Sequence, residues 1–195
     1  MVRSEKEPRQ PAFGPSALAT PANALSLARI LVAPILMSLI ISWGPSYRVL
    51  VLWILLGSTD WVDGFVARRQ GTTRSGAFLD PLADKVLILG AFFALVADQR
   101  VFWLPVALIS SREIAVSVYR MVVARRGVSV PATKFGKSKT LVQDIALTLC
   151  LAPFMNGHGH ILGLLVWFSA AITLASGFDY FVKARRGVFR NQVDS

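Results

Sequence analysis

The 195 residues are 54% hydrophobic and 16% charged, with a mean hydropathy of +0.54, whereas an ordinary soluble domain carries about 25% charged residues; such a domain is excluded. The net charge of +10 sits in short basic clusters between apolar blocks, which fits cytoplasmic loops facing anionic lipid and gives no expectation of a nucleic-acid partner. One cysteine, Cys150, lies in an apolar run, which excludes a disulfide framework and a thiol metal site and leaves it as inert packing.

In chain order, residues 1–20 are polar and proline-rich and lack the pattern of a secretory signal, so they read as a flexible cytoplasmic tail. A spanning helix needs about 20 mostly apolar residues, and the candidate spans are 24–43, 48–67, 78–98, 101–123, 139–156 and 160–182. The first contains Pro34, an expected kink. The second runs from apolar to polar and the third from polar to apolar, so they meet at an aspartate-rich connection. The fifth, with Gln143 and Asp144 near its start, has the weakest signal. Residues 187–195 read as a C-terminal tail. The expected fold is all-α: a polytopic membrane protein with six transmembrane helices in one domain, 21–186, without an internal repeat.

Six spans place both termini on one side. Arg3, Lys6 and Arg9, Arg68, Arg69 and Arg74, Arg125 to Lys139, and Lys183 to Arg190 mark the tails and two loops as basic, while the other side shows Arg48 and Arg100. The positive-inside rule makes the basic side cytoplasmic in an inner or plasma membrane, and the polar cavity is expected to open there.

The stretch STDWVDGFVARRQGTTRSGAFLDPLADK holds Asp60, Asp63, Asp80 and Asp84. The first pair is three apart and the second four apart, which places each pair on one helical face. Unpaired carboxylates beside hydrocarbon are costly, so they either protonate or bind cations. Oxygen ligands suit Mg²⁺ or Mn²⁺, and two such ions would clamp a diphosphate for in-line displacement. Small Gly64 and Ala67 leave room for a ligand, Arg68, Arg69 and Arg74 offer charge for phosphate, and Pro81 is expected near a helix start. A helix cap, an ion pair with Arg29 or Lys85, and a proton- or cation-coupled carrier remain open on these residues alone.

Asp60-x2-Asp63-Gly64-x2-Ala67-Arg68 and Gly76-x3-Asp80-x3-Asp84 resemble the D-x2-D-G-x2-A-R-x8-G-x3-D-x3-D pattern of the CDP-alcohol phosphatidyltransferase family, with seven residues rather than eight between Arg68 and Gly76. PANALSLAR at the first helix, with Asn23, Ser26 and Arg29, is similar to the family's P-N-x-L-[ST]-x-x-R. The stretches FLDPLADK, SREI and KFGKSKT, with Gln143, are similar to the branch that uses glycerol 3-phosphate as acceptor.

The resemblance implies transfer of a phosphatidyl group from CDP-diacylglycerol to glycerol 3-phosphate with release of CMP. It implies two divalent ions on Asp60, Asp63, Asp80 and Asp84, with Asp84 also the general base on the acceptor hydroxyl. It implies CDP contacts from Asn23, Ser26, Asp63, Gly64, Arg68 and Thr73, a lipid substrate entering from the bilayer, and a homodimer. The acceptor phosphate then needs a basic pocket. Arg112 and Arg120, eight apart on the fourth span, and Lys137 and Lys139 in the facing loop are its candidates. Glu113 is a possible partner for Arg112, although adjacent residues diverge on a helix. Arg125 and Arg126 read as ordinary positive-inside charge, and Asp179 as a partner of Lys183. His158 and His160 belong to an outer loop and make a poor metal site. Trp43, Trp53, Trp103 and Trp167 read mainly as interfacial or lipid-facing anchors. Phosphatidylglycerol or inositol phosphate as acceptor is the nearer alternative, and a cation-coupled transporter the more distant one.

Overall fold

The computed structural model describes the backbone of residues 21–70, 76–125 and 134–185, and the side chains of 23–59, 79–123 and 138–182. Among the described residues all regular structure is helical: α1 (Pro21–Trp43), α2 (Tyr47–Gln70), α3 (Gly76–Ala97), α4 (Trp103–Arg125), α5 (Lys134–Leu151), a 3-10 turn (Pro153–Met155) and α6 (Gly159–Arg185). Five helices lie close to the expected spans. The fifth begins at Lys134 and stops at Leu151, so KFGKSKT forms the first turns of a helix rather than a loop. Lys and Ser tolerate a helix, and Gly136 alone does not break one. Pro153 ends it, because a proline drives the residue before it out of the helical region.

The helix ends follow from local chemistry. Gly44, at φ +62, follows α1, and its N–H donates to the Ile40 carbonyl at 2.9 Å. After α3, Gln99 takes the left-handed conformation at φ 55. Its N–H reaches the Val96 carbonyl at 3.0 Å and that of Arg100 reaches Leu95 at 2.9 Å, the paired bonds of a Schellman motif. Pro34 lies within α1. Pro81 lies within α3 rather than at its start, because the helix begins at Gly76. Its ring removes the N–H that would bond to the carbonyl four residues earlier.

Short connections at 44–46, 98–102 and 152–158 make the helices they join antiparallel. Helix α1 lies chiefly against α3 and also against α2; α4 and α5 both lie against α6; α3 reaches α4 and α5 and thereby joins the two groups. The buried stripe of α1 changes character along its length, from Asn23, Ser26 and Arg29 to Ala33, Leu36 and Ile40. That of α6 runs the other way, from Leu162 and Val166 to Thr173 and Ser176. Because the helices alternate in direction, the polar halves gather at one end of the bundle. The other end holds an apolar core of Leu36, Ile40, Phe92, Leu95, Leu147 and Leu151. Gly90 admits Met37 across the α1–α3 contact, where a Cβ would fall 2.9 Å from its Sδ.

The outside of the bundle is also apolar. Leu31, Leu164 and Phe178 are 66%, 70% and 74% exposed, a surface suited to hydrocarbon rather than water. In lipid the buried side chains stabilise the bundle mainly by close packing, since tails are as apolar as leucine. Among the described residues two helical stretches, Asn23–Trp43 and Gly159–Val182, are long and apolar enough to cross a membrane. Helices α3 and α4 are interrupted by Asp80, Asp84 and Lys85, and by Arg112, Glu113 and Arg120. Of the four tryptophans read as anchors, Trp43, Trp103 and Trp167 are exposed, but Trp53 is buried, and its Nε1 donates to Thr148 Oγ1 at 2.9 Å. It joins α2 to α5 instead of meeting the interface. Cys150 is buried in the core.

Candidate active site

Two groups of polar side chains meet at the polar end. The first gathers on α3 beside α1 and α2. Asp80 and Asp84 stand one turn apart and are both partly exposed. Asp80 Oδ1 accepts from Ser26 Oγ at 3.4 Å and lies 3.8 Å from Arg29 Nη1. The Arg29 side chain is 1% exposed while that of Asp80 is 48% exposed, so a buried cation holds the carboxylate from behind. Arg29 Nη2 also donates to Thr59 Oγ1 at 3.4 Å, and Thr59 donates in turn to the Leu56 carbonyl at 2.6 Å. One guanidinium thus fixes α1, α2 and α3 next to the turn that carries Asp60. Asn23 is buried on the same face of α1.

Asp60, Asp63, Gly64 and Arg68 lie on the helical backbone of the last turns of α2, but their side chains are outside the described ones, and Thr73 lies outside the described residues. Among the described side chains no three of His, Cys, Asp and Glu converge on a metal position. The donors present nevertheless fit a hard divalent ion. Carboxylates one turn apart on α3 share a partly exposed face, and their oxygens are the hard donors such an ion takes. His158 and His160 are exposed at the opposite end.

The second group is buried where α3, α4, α5 and α6 meet. Glu113 is its centre. Its Oε1 accepts from Arg112 Nη1 at 3.0 Å and from Lys139 Nζ, while Oε2 lies 3.4 Å from Lys85 Nζ. Arg112 Nη2 donates to Ser176 Oγ on α6 at 3.0 Å. The arginine stem passes over Gly177, where a Cβ would lie 2.9 Å from Arg112 Cγ and 3.0 Å from Nε. One turn along α5, Gln143 Nε2 donates to Thr173 Oγ1 at 2.9 Å. Among the described side chains, three cations surround this one carboxylate, and two of them, Arg112 and Lys139, are buried with it. Such a surplus is unfavourable unless an anion joins it.

Of the four expected phosphate ligands, the structure brings Arg112 and Lys139 together. Lys137 is outside the described side chains, and Arg120 is exposed. Eight residues turn a helix about 80° past a whole number of turns, enough to carry Arg120 off the face that buries Arg112. Lys85 pairs with Glu113 across the α3–α4 contact. The partnership of adjacent Arg112 and Glu113, against which helix geometry argued, does form. The long guanidinium curls back to reach a side chain whose Cβ points elsewhere. Lys85, Ser176 and Gly177 were not identified from sequence as parts of this group. The signal was present in an ionised Glu113 inside an apolar helix, which requires cations from neighbouring helices.

The chain matches the family model described as CDP-alcohol phosphatidyltransferase over residues 19–175. It belongs to the CDP-alcohol phosphatidyltransferase family. Curated relatives agree in length as well as sequence. The "Probable phosphatidylglycerophosphate synthase" of Mycobacterium tuberculosis is 36% identical over 182 residues, covering 90% of this chain and 86% of the relative. The "CDP-diacylglycerol--glycerol-3-phosphate 3-phosphatidyltransferase" of Bacillus subtilis is 37% identical over 180 residues, covering 83% and 93%. The protein of the same name from Haemophilus influenzae is 34% identical over 175 residues, covering 86% and 94%. As a CDP-alcohol phosphatidyltransferase, the chain is a transferase of phospholipid synthesis. Its family and its apolar helices make it a membrane protein.

Proposed function

We propose that the chain transfers the phosphatidyl group of CDP-diacylglycerol to glycerol 3-phosphate, giving phosphatidylglycerophosphate and CMP. The observation that carries this reading is the group of Lys85, Arg112 and Lys139 around buried Glu113, at the same end of the bundle as Asp80 and Asp84. Its two surplus positive charges match a phosphate monoester, which carries about two negative charges at neutral pH. A phosphodiester such as phosphatidylglycerol carries one. Inositol phosphate has the same charge as glycerol 3-phosphate, and the names of the relatives favour the latter.

In this reading all six helices span the membrane, and the polar end is a cavity open to the cytoplasm. Asp60, Asp63, Asp80 and Asp84 would hold two Mg²⁺ or Mn²⁺ ions. When bound, the ions supply charge neutralisation for the diphosphate. Asn23, Ser26, Asp63, Gly64, Arg68 and Thr73 bind the CDP part, while Arg112 and Lys139, with Lys137 one turn or less away on α5, hold the acceptor phosphate and the exposed Arg120 adds only longer-range attraction. Asp84 takes the proton from the acceptor hydroxyl as its oxygen bonds to the phosphorus that carries diacylglycerol. The bond from that phosphorus to the oxygen bridging to CMP breaks, and CMP leaves with the oxygen. Orientation of the two substrates supplies much of the rate.

The test is CMP release by the purified protein with CDP-diacylglycerol and Mg²⁺ or Mn²⁺, with glycerol 3-phosphate, phosphatidylglycerol and inositol phosphate offered separately. Release with glycerol 3-phosphate alone is expected. Release with a different acceptor would overturn the choice of substrate and keep the chemistry. No release with any acceptor would overturn both and favour a carrier.

A further inference from the structure

Glu113 carries a charge opposite to that wanted in a site for anions, yet it lies at the centre of one. Its side chain is 6% exposed, and both of its oxygens are engaged by cations from three helices: Lys85 from α3, Arg112 from α4 itself and Lys139 from α5. The three cations are not equally sheltered. The Arg112 and Lys139 side chains are 8% and 11% exposed, whereas that of Lys85 is 30% exposed. The group therefore opens on the α3 side, and Lys85 follows Asp84 directly in the chain. Arg112 is also braced by Ser176, with Gly177 leaving room for its stem.

We infer that Glu113 is a positioning residue: its carboxylate assembles Lys85, Arg112 and Lys139 before the acceptor arrives and fixes their distance from the Asp84 turn of α3. The inference rests on the reading given above, in which these cations receive the phosphate of the acceptor. Without the carboxylate, three like charges repel one another and spread. The acceptor phosphate then has no preformed seat, and its hydroxyl is no longer held within reach of Asp84. Net charge alone predicts the opposite. Removing one negative charge raises the surplus from two to three and tightens the hold on any anion.

Glu113→Gln separates the two, because the amide keeps the shape and cannot bind three cations. In the purified full chain, KM for glycerol 3-phosphate is expected to rise about tenfold, the scale of losing a hydrogen bond between charged groups. KM for CDP-diacylglycerol is expected to stay within about twofold, since its site rests on other side chains. Restoring the charge one methylene shorter, in Glu113→Asp, recovers part of the acceptor KM. A fall or no change in acceptor KM would overturn the inference, as would an equal rise in both KM values. A readout without turnover runs beside it: protection against thermal unfolding by inorganic phosphate and by glycerol 3-phosphate. That protection is expected in the wild type and lost in Glu113→Gln.

If the wild type releases no CMP with glycerol 3-phosphate but phosphate protects it in a Glu113-dependent way, the functional reading fails and the positioning role stands. If phosphate protects both proteins equally, the positioning role fails. Should Glu113→Gln not fold, Glu113→Asp carries the same comparison, and an acceptor KM equal to that of the wild type overturns the inference.

Discussion

Gly177→Ala adds one methyl group to a helix and should nevertheless weaken this protein. On an unobstructed helix the change stabilises by about 1 kcal/mol. Here the new Cβ would stand 2.9 Å from Arg112 Cγ and 3.0 Å from Nε. These atoms belong to the middle of the side chain, so rotating its tip does not clear them. The stem must move, and with it the bonds from Nη1 to Glu113 and from Nη2 to Ser176, both at 3.0 Å. Each hydrogen bond of this charged kind is worth about 1.5–3 kcal/mol, and overpacking adds about 1–3 kcal/mol. With one of the two bonds lost and the other kept, the net expectation is a loss of about 2–5 kcal/mol after the helix gain is subtracted. If Arg112 receives the acceptor phosphate as proposed, KM for glycerol 3-phosphate is expected to rise about tenfold as the guanidinium is displaced. Thermal unfolding in detergent reads the first effect and CMP release at varied acceptor concentration the second. A variant at least as stable as the wild type, with unchanged acceptor KM, would refute the reasoning about Arg112.

Chelation with EDTA is expected to abolish CMP release, and added Mg²⁺ or Mn²⁺ to restore it; release that survives EDTA would remove the metal role of the aspartates. Asp84→Asn is expected to lower kcat by at least about a hundredfold, the scale of general base catalysis, while a CDP-diacylglycerol binding assay still shows uptake. Turnover near that of the wild type would show that Asp84 is not the base. Gly90→Ala is expected to cost about 1 kcal/mol through its collision with Met37. The loss should shrink when Met37→Ala is added, and thermal unfolding of the four proteins gives the coupling directly. Additive losses would mean that the α1–α3 contact adapts by another route.

Much of this molecule was legible before its structure. Hydropathy placed five helices to within a few residues, because long apolar runs and the glycines and prolines between them are local signals. The fifth helix was misplaced for an equally local reason. A hydropathy window sees Lys134 to Lys139 as loop, but helix formation asks only that residues tolerate the backbone. The aspartate pairs were legible because spacings of three and four have one geometric meaning on a helix. The cation group was only half legible. Arg112 stood out as a charge inside an apolar span, and Lys139 as a basic residue of the facing loop. Their union through Glu113, and the fall of Arg120 onto an exposed face, depend on how α3, α4, α5 and α6 rotate against one another. That rotation is decided by packing, as the burial of Trp53 against Thr148 also shows.

The adjacency of Arg112 and Glu113 also bears on how the chain is made. A helix delivered to a bilayer one segment at a time meets lipid before its final neighbours arrive, and each charge near the centre of a span then costs about 2.5–3.5 kcal/mol. In the proposed six-span reading, helix α4 arrives with a cation and its counter-ion on consecutive residues, joined at 3.0 Å. It can enter as a nearly neutral element at that depth and exchange this private pair for a shared one once Lys85 and Lys139 come alongside. Glu113 would then serve as a temporary passport for α4 during biogenesis, before it takes up its place among the helices of the finished enzyme.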